Sequence, residues 1–130
     1  IGKQYVEGLM FTGHFEKEAA NTPLARQFIP AYEKKYGKVG TFDVMGADAY
    51  FVLADAIERA KSTEGAKIRA ALASTKNFKG ISGTMTIGED GNAVKSLVIV
   101  QVRNGDFRYV ATVEPSGAKP EPKKAAPKKK

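Results

Sequence analysis

The chain has no cysteine. Disulfides, thiolate metal sites and cysteine nucleophiles are therefore excluded, and the redox compartment is left open. A single histidine, His14, leaves zinc sites and catalytic histidine pairs without the residues they need. No run reaches the roughly 18 apolar residues of a membrane-spanning helix. No signal-peptide pattern is visible. The chain opens Ile1-Gly2-Lys3 without methionine, so we expect a processed product or a piece of something longer. Internal repeats are absent. Ser62, Ser74 and Ser82 lack the glycine frame of a nucleophile elbow. Gly80-Ile81-Ser82-Gly83 lacks the third glycine or the Lys-Ser/Thr pair of a nucleotide fingerprint. Glu16 and Glu18 stand two apart on a loop, a spacing with no fixed geometry for acid–base work. Nothing here carries an enzyme, and no metal or cofactor is called for.

What the chain does have is basic charge, unevenly spread. Lys plus Arg number 21 against 14 Asp plus Glu, a net of +7 over 130 residues. Residues 114–130 hold six lysines against two glutamates, a net of +4, which leaves an ordinary +3 for the preceding 113. Four of the six prolines lie in this tail, and its apolar residues are three alanines. Such a composition cannot bury enough surface to offset the entropy of ordering, and we expect disorder. No aromatic residue interleaves the lysines, so base stacking is unsupported and nucleic acid is an unfavoured partner.

Residues 1–113 read as one α/β unit of three helices and about four strands, partly antiparallel hairpins. Val6 to Thr12 predicts a strand covered on both faces, because Leu9, Met10 and Phe11 are consecutive. Gly13 to Ala20 predicts a polar loop. Thr22-Pro23 opens a first helix with a capping hydroxyl and a proline that sacrifices no hydrogen bond, and Gly37 closes it. Pro30 predicts a kink or a shorter helix. A second helix is expected from about Val44 to Ala60, with Asp43 as cap and with Asp48, Asp55 and Arg59 on the wetter side. It is apolar round more than one stripe and so expects cover on most of its circumference. A third is expected over Glu64 to Ser74.

Three extended runs follow: Thr84 to Ile87, then Val94 to Val102 with Leu97 to Val100 buried on both faces, then Phe107 to Val113. Gly88-Glu89-Asp90-Gly91-Asn92 predicts a turn, since it lacks the alternating acidic ligands of a calcium loop. Asn104-Gly105 predicts a type I′ hairpin.

Several of these segments together resemble the C-terminal portion of the branched-chain amino-acid type of periplasmic solute-binding protein of ABC transporters. Val6-Glu7-Gly8-Leu9-Met10-Phe11-Thr12, Phe28 with Ala31 to Gly37, Gly46-Ala47-Asp48-Ala49-Tyr50 with Leu53 to Ile57, and Phe78 to Thr84 with Gly88 to Gly91 carry the resemblance, in family order. It implies an incomplete part of a two-lobed type I periplasmic-binding-protein fold, with strands 5–12 and 84–113 in the second lobe and helices 22–74 in the first. Gly13 to Glu16 and Phe78 to Ser82 then become crossings between lobes. By the same resemblance His14, Phe15 and Glu16 line the ligand cleft at the hinge. The intact parent would capture an amino-acid-like ligand in the periplasm by lobe closure and deliver it to a membrane permease. The family's main groups for the ligand's carboxylate and ammonium lie upstream of this stretch.

The helices lack the sheet they want. We therefore expect a homodimer, a domain swap or a complementary chain. The alternative is a stand-alone interaction module that binds a protein or polyanion through exposed helix faces or the basic tail.

Overall fold

Thr22 starts the first helix as its chemistry predicts. Its Oγ1 accepts from the N–H of Ala25 at 3.0 Å, and Pro23 takes the first helical position. This helix, α1 (Pro23–Tyr36), ends at Gly37, whose φ of +85° favours glycine and whose N–H donates to the Glu33 carbonyl at 3.1 Å. The computed structural model describes residues 5–115, and α1 runs through Pro30 within it rather than starting nearer to it. Pro30 and Arg26 are both exposed. The carbonyl that Pro30 leaves without a donor is thus on the wet side, where water can satisfy it.

The second helix, α2 (Thr41–Ala60), begins three residues earlier than the sequence predicts. Gly40 is the cap. Asp43, expected there, sits at the third helical position, and its Oδ2 accepts from the Gly40 N–H at 2.8 Å. The third helix, α3 (Gly65–Ala73), packs on α2. Arg59 joins them: it donates to the Ala71 carbonyl at 2.8 Å, to Ser74 Oγ at 3.0 Å and to Thr75 Oγ1 at 2.7 Å.

Among the described residues, six strands form two antiparallel sheets of three. One contains β1 (Met10–Gly13), β5 (Leu97–Arg103) and β6 (Asp106–Val113), in the order β1-β5-β6. The other contains β2 (Phe78–Lys79), β3 (Thr84–Ile87) and β4 (Ala93–Lys95), in the order β2-β3-β4. About four strands were expected. The surplus comes from β2 and from the division of Val94–Val102.

That division is the main correction to the sequence reading. The run breaks at Ser96: β4 pairs with β3, while β5 pairs with β1 and β6. Residues 84–113 therefore do not share one sheet. Nor is Leu97 to Val100 buried on both faces. Val98, Val100 and Val102 are buried and alternate with half-buried Leu97, Ile99 and Gln101, as suits a sheet covered on one side.

The strand expected over Val6 to Thr12 is short for a similar reason. Gly8 turns with φ +83°, pairing starts at Met10, and Leu9, Met10 and Phe11 are exposed rather than covered. Asn104 and Gly105 have φ of +54° and +79°, the two positive values of a type I′ hairpin. The Gly88–Asn92 turn closes with a 2.8 Å bond from the Gly88 N–H to the Asn92 carbonyl. The Lys-rich segment predicted to be disordered lies outside the described residues from 116 onward.

The core gathers Phe15, Ala25, Ile29, Val39, Val44 and Ile81, with Phe28, Tyr32 and Phe51 packed against it. It therefore lies between α1, α2 and the turn after β2.

Candidate functional site at the chain crossings

The chain passes twice between the β1-β5-β6 sheet and the rest of the fold: from β1 into α1 through Gly13 to Glu16, and from β4 of the other sheet to β5 across Ser96, whereas Phe78 to Ser82, expected as a crossing, starts a hairpin within the β2-β3-β4 sheet. A third segment, the Gly80–Gly83 turn between β2 and β3, lies against both. Asp48 of α2 holds this turn, and the turn's Ser82 leads through Lys95 to the first crossing at the His14 carbonyl.

Asp48 is only 4% exposed, on the inner stripe of α2 with Val44, Val52 and Ala56. The sequence reading put it on the wetter side; the structure puts it in the core. Its Oδ1 accepts from the Ile81 N–H at 2.5 Å, and its Oδ2 accepts from the Ser82 N–H at 3.0 Å and from the Ser82 hydroxyl. A buried carboxylate is costly unless its acceptor capacity is filled, and here three donors fill it. Ile81 is fully buried beside it.

The other side of the turn is held by Thr22. Its hydroxyl donates to the Gly80 carbonyl at 2.6 Å while accepting from Ala25. One side chain thus caps α1 and fixes the turn. Gly80 itself has no room for a side chain. A Cβ there would stand 2.6 Å from Asp48 Oδ1 and 2.9 Å from Met85 Cε.

Lys95 completes the site from the end of β4. Its Nζ donates to Ser82 Oγ and to the His14 carbonyl, the latter at 3.2 Å. Burial pushes the Lys95 ammonium below its ordinary pKa, and the Asp48 carboxylate opposes that shift. Charge therefore alternates across the site in the order Asp48 carboxylate, Ser82 hydroxyl, Lys95 ammonium, His14 carbonyl.

The three residues singled out from the sequence sit side by side here but differ in surroundings. The His14 side chain is exposed, and its backbone carbonyl meets Lys95. Phe15 is 8% exposed, within the core cluster. Glu16 is half-buried and caps the short 3-10 turn Lys17–Ala19 by accepting from the Lys17 N–H at 2.9 Å. Glu18 is exposed.

Lys95 was not picked out, Thr22 was read only as a helix cap, and Asp48 only as a carboxylate on the wetter side of its helix. The available signal was the strict spacing Val44, Asp48, Val52, Ala56, which puts Asp48 on an otherwise apolar stripe. Lys95 left no such trace. A shallow groove of about 450 Å3 runs from Asp55 and Arg59 to Lys79. Arg59 is held there by Asp55, Ala71, Ser74 and Thr75. Among the described residues, no group of three or more His, Asp and Glu is placed to hold a metal ion, and no helix is long and apolar enough to cross a membrane.

Two small sheets joined by paired crossings, with apolar helix faces left open, are what part of a two-lobed protein would present. The sequence profile of one family, described as periplasmic binding protein, matches residues 1–106. The chain belongs to that family. No curated protein matches it. Among solved structures, the leucine-binding protein LivK of Thermotoga maritima is 43% identical over 90% of this chain and 34% of its own, with a TM-score of 0.80. The branched-chain amino acid transporter substrate-binding protein LivJ of Streptococcus pneumoniae, in complex with isoleucine, is 27% identical over 82% of this chain and 30% of its own, with a TM-score of 0.70. A solute-binding protein of Rhodopseudomonas palustris, in complex with 3,4-dihydroxybenzoic acid, shares the fold at 19% identity and a TM-score of 0.69, over 84% of this chain and 31% of its own. These relatives have the two-lobed periplasmic-binding-protein fold. The chain spans about a third of their length.

Proposed function

We propose that this periplasmic-binding-protein chain is part of a solute-binding protein that captures a branched-chain or related amino acid outside the cytoplasmic membrane and passes it to an ABC permease. The 43% identity to LivK over 90% of the chain carries this reading. Lobe closure is the mechanism: contacts from both lobes favour the closed state by their differential binding energy. This chain supplies two of the crossings about which such closure turns. The exposed His14 and half-buried Glu16 are the side chains its first crossing offers to the cleft, while Phe15 anchors that crossing in the core. Leucine and isoleucine, the ligands named for LivK and LivJ, are the first candidates.

A chimera tests this. The matching third of LivK is replaced by residues 5–113, and leucine binding is measured by calorimetry. Retained binding is expected, whereas this chain alone should bind leucine poorly or not at all. A chimera that folds but binds no branched-chain amino acid, or micromolar binding by this chain alone, would overturn the reading.

A further inference from the structure

Lys95 is the last residue of β4, and β5 starts the other sheet two positions later. Its ammonium therefore sits at the start of the second crossing. It reaches the first crossing through the His14 carbonyl, and it reaches α2 through the Ser82 hydroxyl and Asp48. Each partner lies on a different segment: the β1–α1 crossing, the turn between β2 and β3, and α2. The polarity is consistent along the chain of bonds. The Ser82 hydroxyl donates to the carboxylate and accepts from the ammonium, which uses its donor and one of its lone pairs. Half-burial of the site reduces competition from water, so these bonds act more strongly than exposed ones would.

We infer that Lys95 is the positioning residue of the hinge: its ammonium ties the two crossings to each other and to α2, and so fixes the angle between the β1-β5-β6 sheet and the helices. The inference rests on the two-lobed reading but needs no solute. The burial-driven fall in the Lys95 pKa agrees with an enclosed cation.

The test uses the whole 130-residue chain, isotope-labelled and without ligand. Residual dipolar couplings are measured for amides in β5 and β6 and for amides in α1 and α2. In the unmodified chain both sets fit one alignment tensor. Lys95→Met keeps the aliphatic stem and removes every donor. It is expected to leave Val98, Val100, Val44 and Val52 protected from exchange while the two sets come to require different tensors. Couplings that still fit the single original tensor would overturn the inference.

A measurement on the unmodified chain covers a variant that fails to fold. The Lys95 ammonium hydrogens should exchange several-fold more slowly than those of exposed Lys34, and equal exchange would also overturn the inference. Solute binding enters neither measurement. A LivK chimera that failed to bind leucine would therefore leave this result standing, and a loose hinge in a chimera that binds would sink this inference alone.

Discussion

Asp48 and Ser82 meet across 34 residues of sequence through both the backbone N–H and the hydroxyl of the serine. Asp48 comes from α2 and Ser82 from the turn between β2 and β3. That turn also bonds within itself, from the Gly80 N–H to the Gly83 carbonyl at 2.9 Å. Four of the turn's polar groups, the Gly80 carbonyl, the Ile81 N–H and the Ser82 N–H and hydroxyl, thus find partners on Asp48 of α2 or on Thr22, the cap of α1. Among the described residues, no buried side-chain nitrogen or oxygen lacks a partner. This accounts for how a polar turn can close an apolar core.

Replacing the carboxylate should therefore cost more than a surface change. Asp48→Ala leaves the Ile81 and Ser82 N–H groups without acceptors and Lys95 without its counter-charge. A loss of about 3 kcal/mol is expected, since one unsatisfied buried group costs roughly 1–3 kcal/mol. Asp48→Asn retains one acceptor oxygen and should lose less. Urea unfolding followed by circular dichroism measures both. An alanine variant as stable as the parent would show that the turn is held by other contacts.

Two glycines make a matched pair. Gly80→Ala forces a methyl group onto Asp48 and Met85, an overpacking expected to cost about 2 kcal/mol. Gly46, in the exposed middle of α2, has nothing within 4 Å of a would-be Cβ. Gly46→Ala should stabilise the chain by up to about 1 kcal/mol through helix propensity. Thermal melts of the two variants should move in opposite directions. A shift in the same direction would contradict the packing around Gly80.

The elements legible in the sequence carry their own local chemistry. Thr22-Pro23, Gly37, Gly88 to Asn92 and Asn104-Gly105 specify caps and turns through residues that need no distant partner. The site was less legible because its bonds are long-range. Asp48 belongs to the core through donors 33 and 34 residues away. Lys95 belongs to it through a carbonyl 81 residues away. The break at Ser96 was hidden because Val94 to Val102 is apolar on both sides of it, so only pairing partners divide it. His14 was noticed as a side chain, yet its contact with Lys95 is through the backbone.

Half-buried Glu33 and exposed Asp90 both contribute to the response to acid. A bond from the Lys17 ammonium, 2.6 Å away, holds Glu33 below its ordinary value of 4.5. The backbone N–H and then the side-chain amide of Asn92 hold Asp90 below 3.8. Between each lowered value and the ordinary one, the unfolded chain binds more protons than the folded chain, so stability rises with pH there. The contribution of both groups is present above their ordinary values and is lost as pH falls through the folded ones. Carboxyl carbon titration by NMR, paired with melts below pH 4.5, checks the sign. Lys17→Met should return Glu33 towards its ordinary value and leave Asp90 unchanged. Titration of either group above its ordinary value would contradict the assigned bonds.

The faces left open predict how the isolated chain behaves. Phe42 is 87% exposed, Tyr50 66%, Leu53 42% and Ile57 37%, all on α2, while Phe107 and Met10 are 64% and 59% exposed on the β1-β5-β6 sheet. The inner stripe of α2 meets the core, whereas this outer one is left largely open to solvent. Removing apolar surface from water is worth about 25 cal/mol per Å2, so the isolated chain should associate through these faces, as a dimer, by exchange of elements or with a complementary chain. Light scattering across a dilution series should show a mass above that of the 14.0 kDa monomer at high concentration. Leu53→Lys with Ile57→Lys, both on α2's exposed side, should lower the association constant without loss of helical signal. A monomer at every concentration would mean that these faces are tolerated in water as they stand.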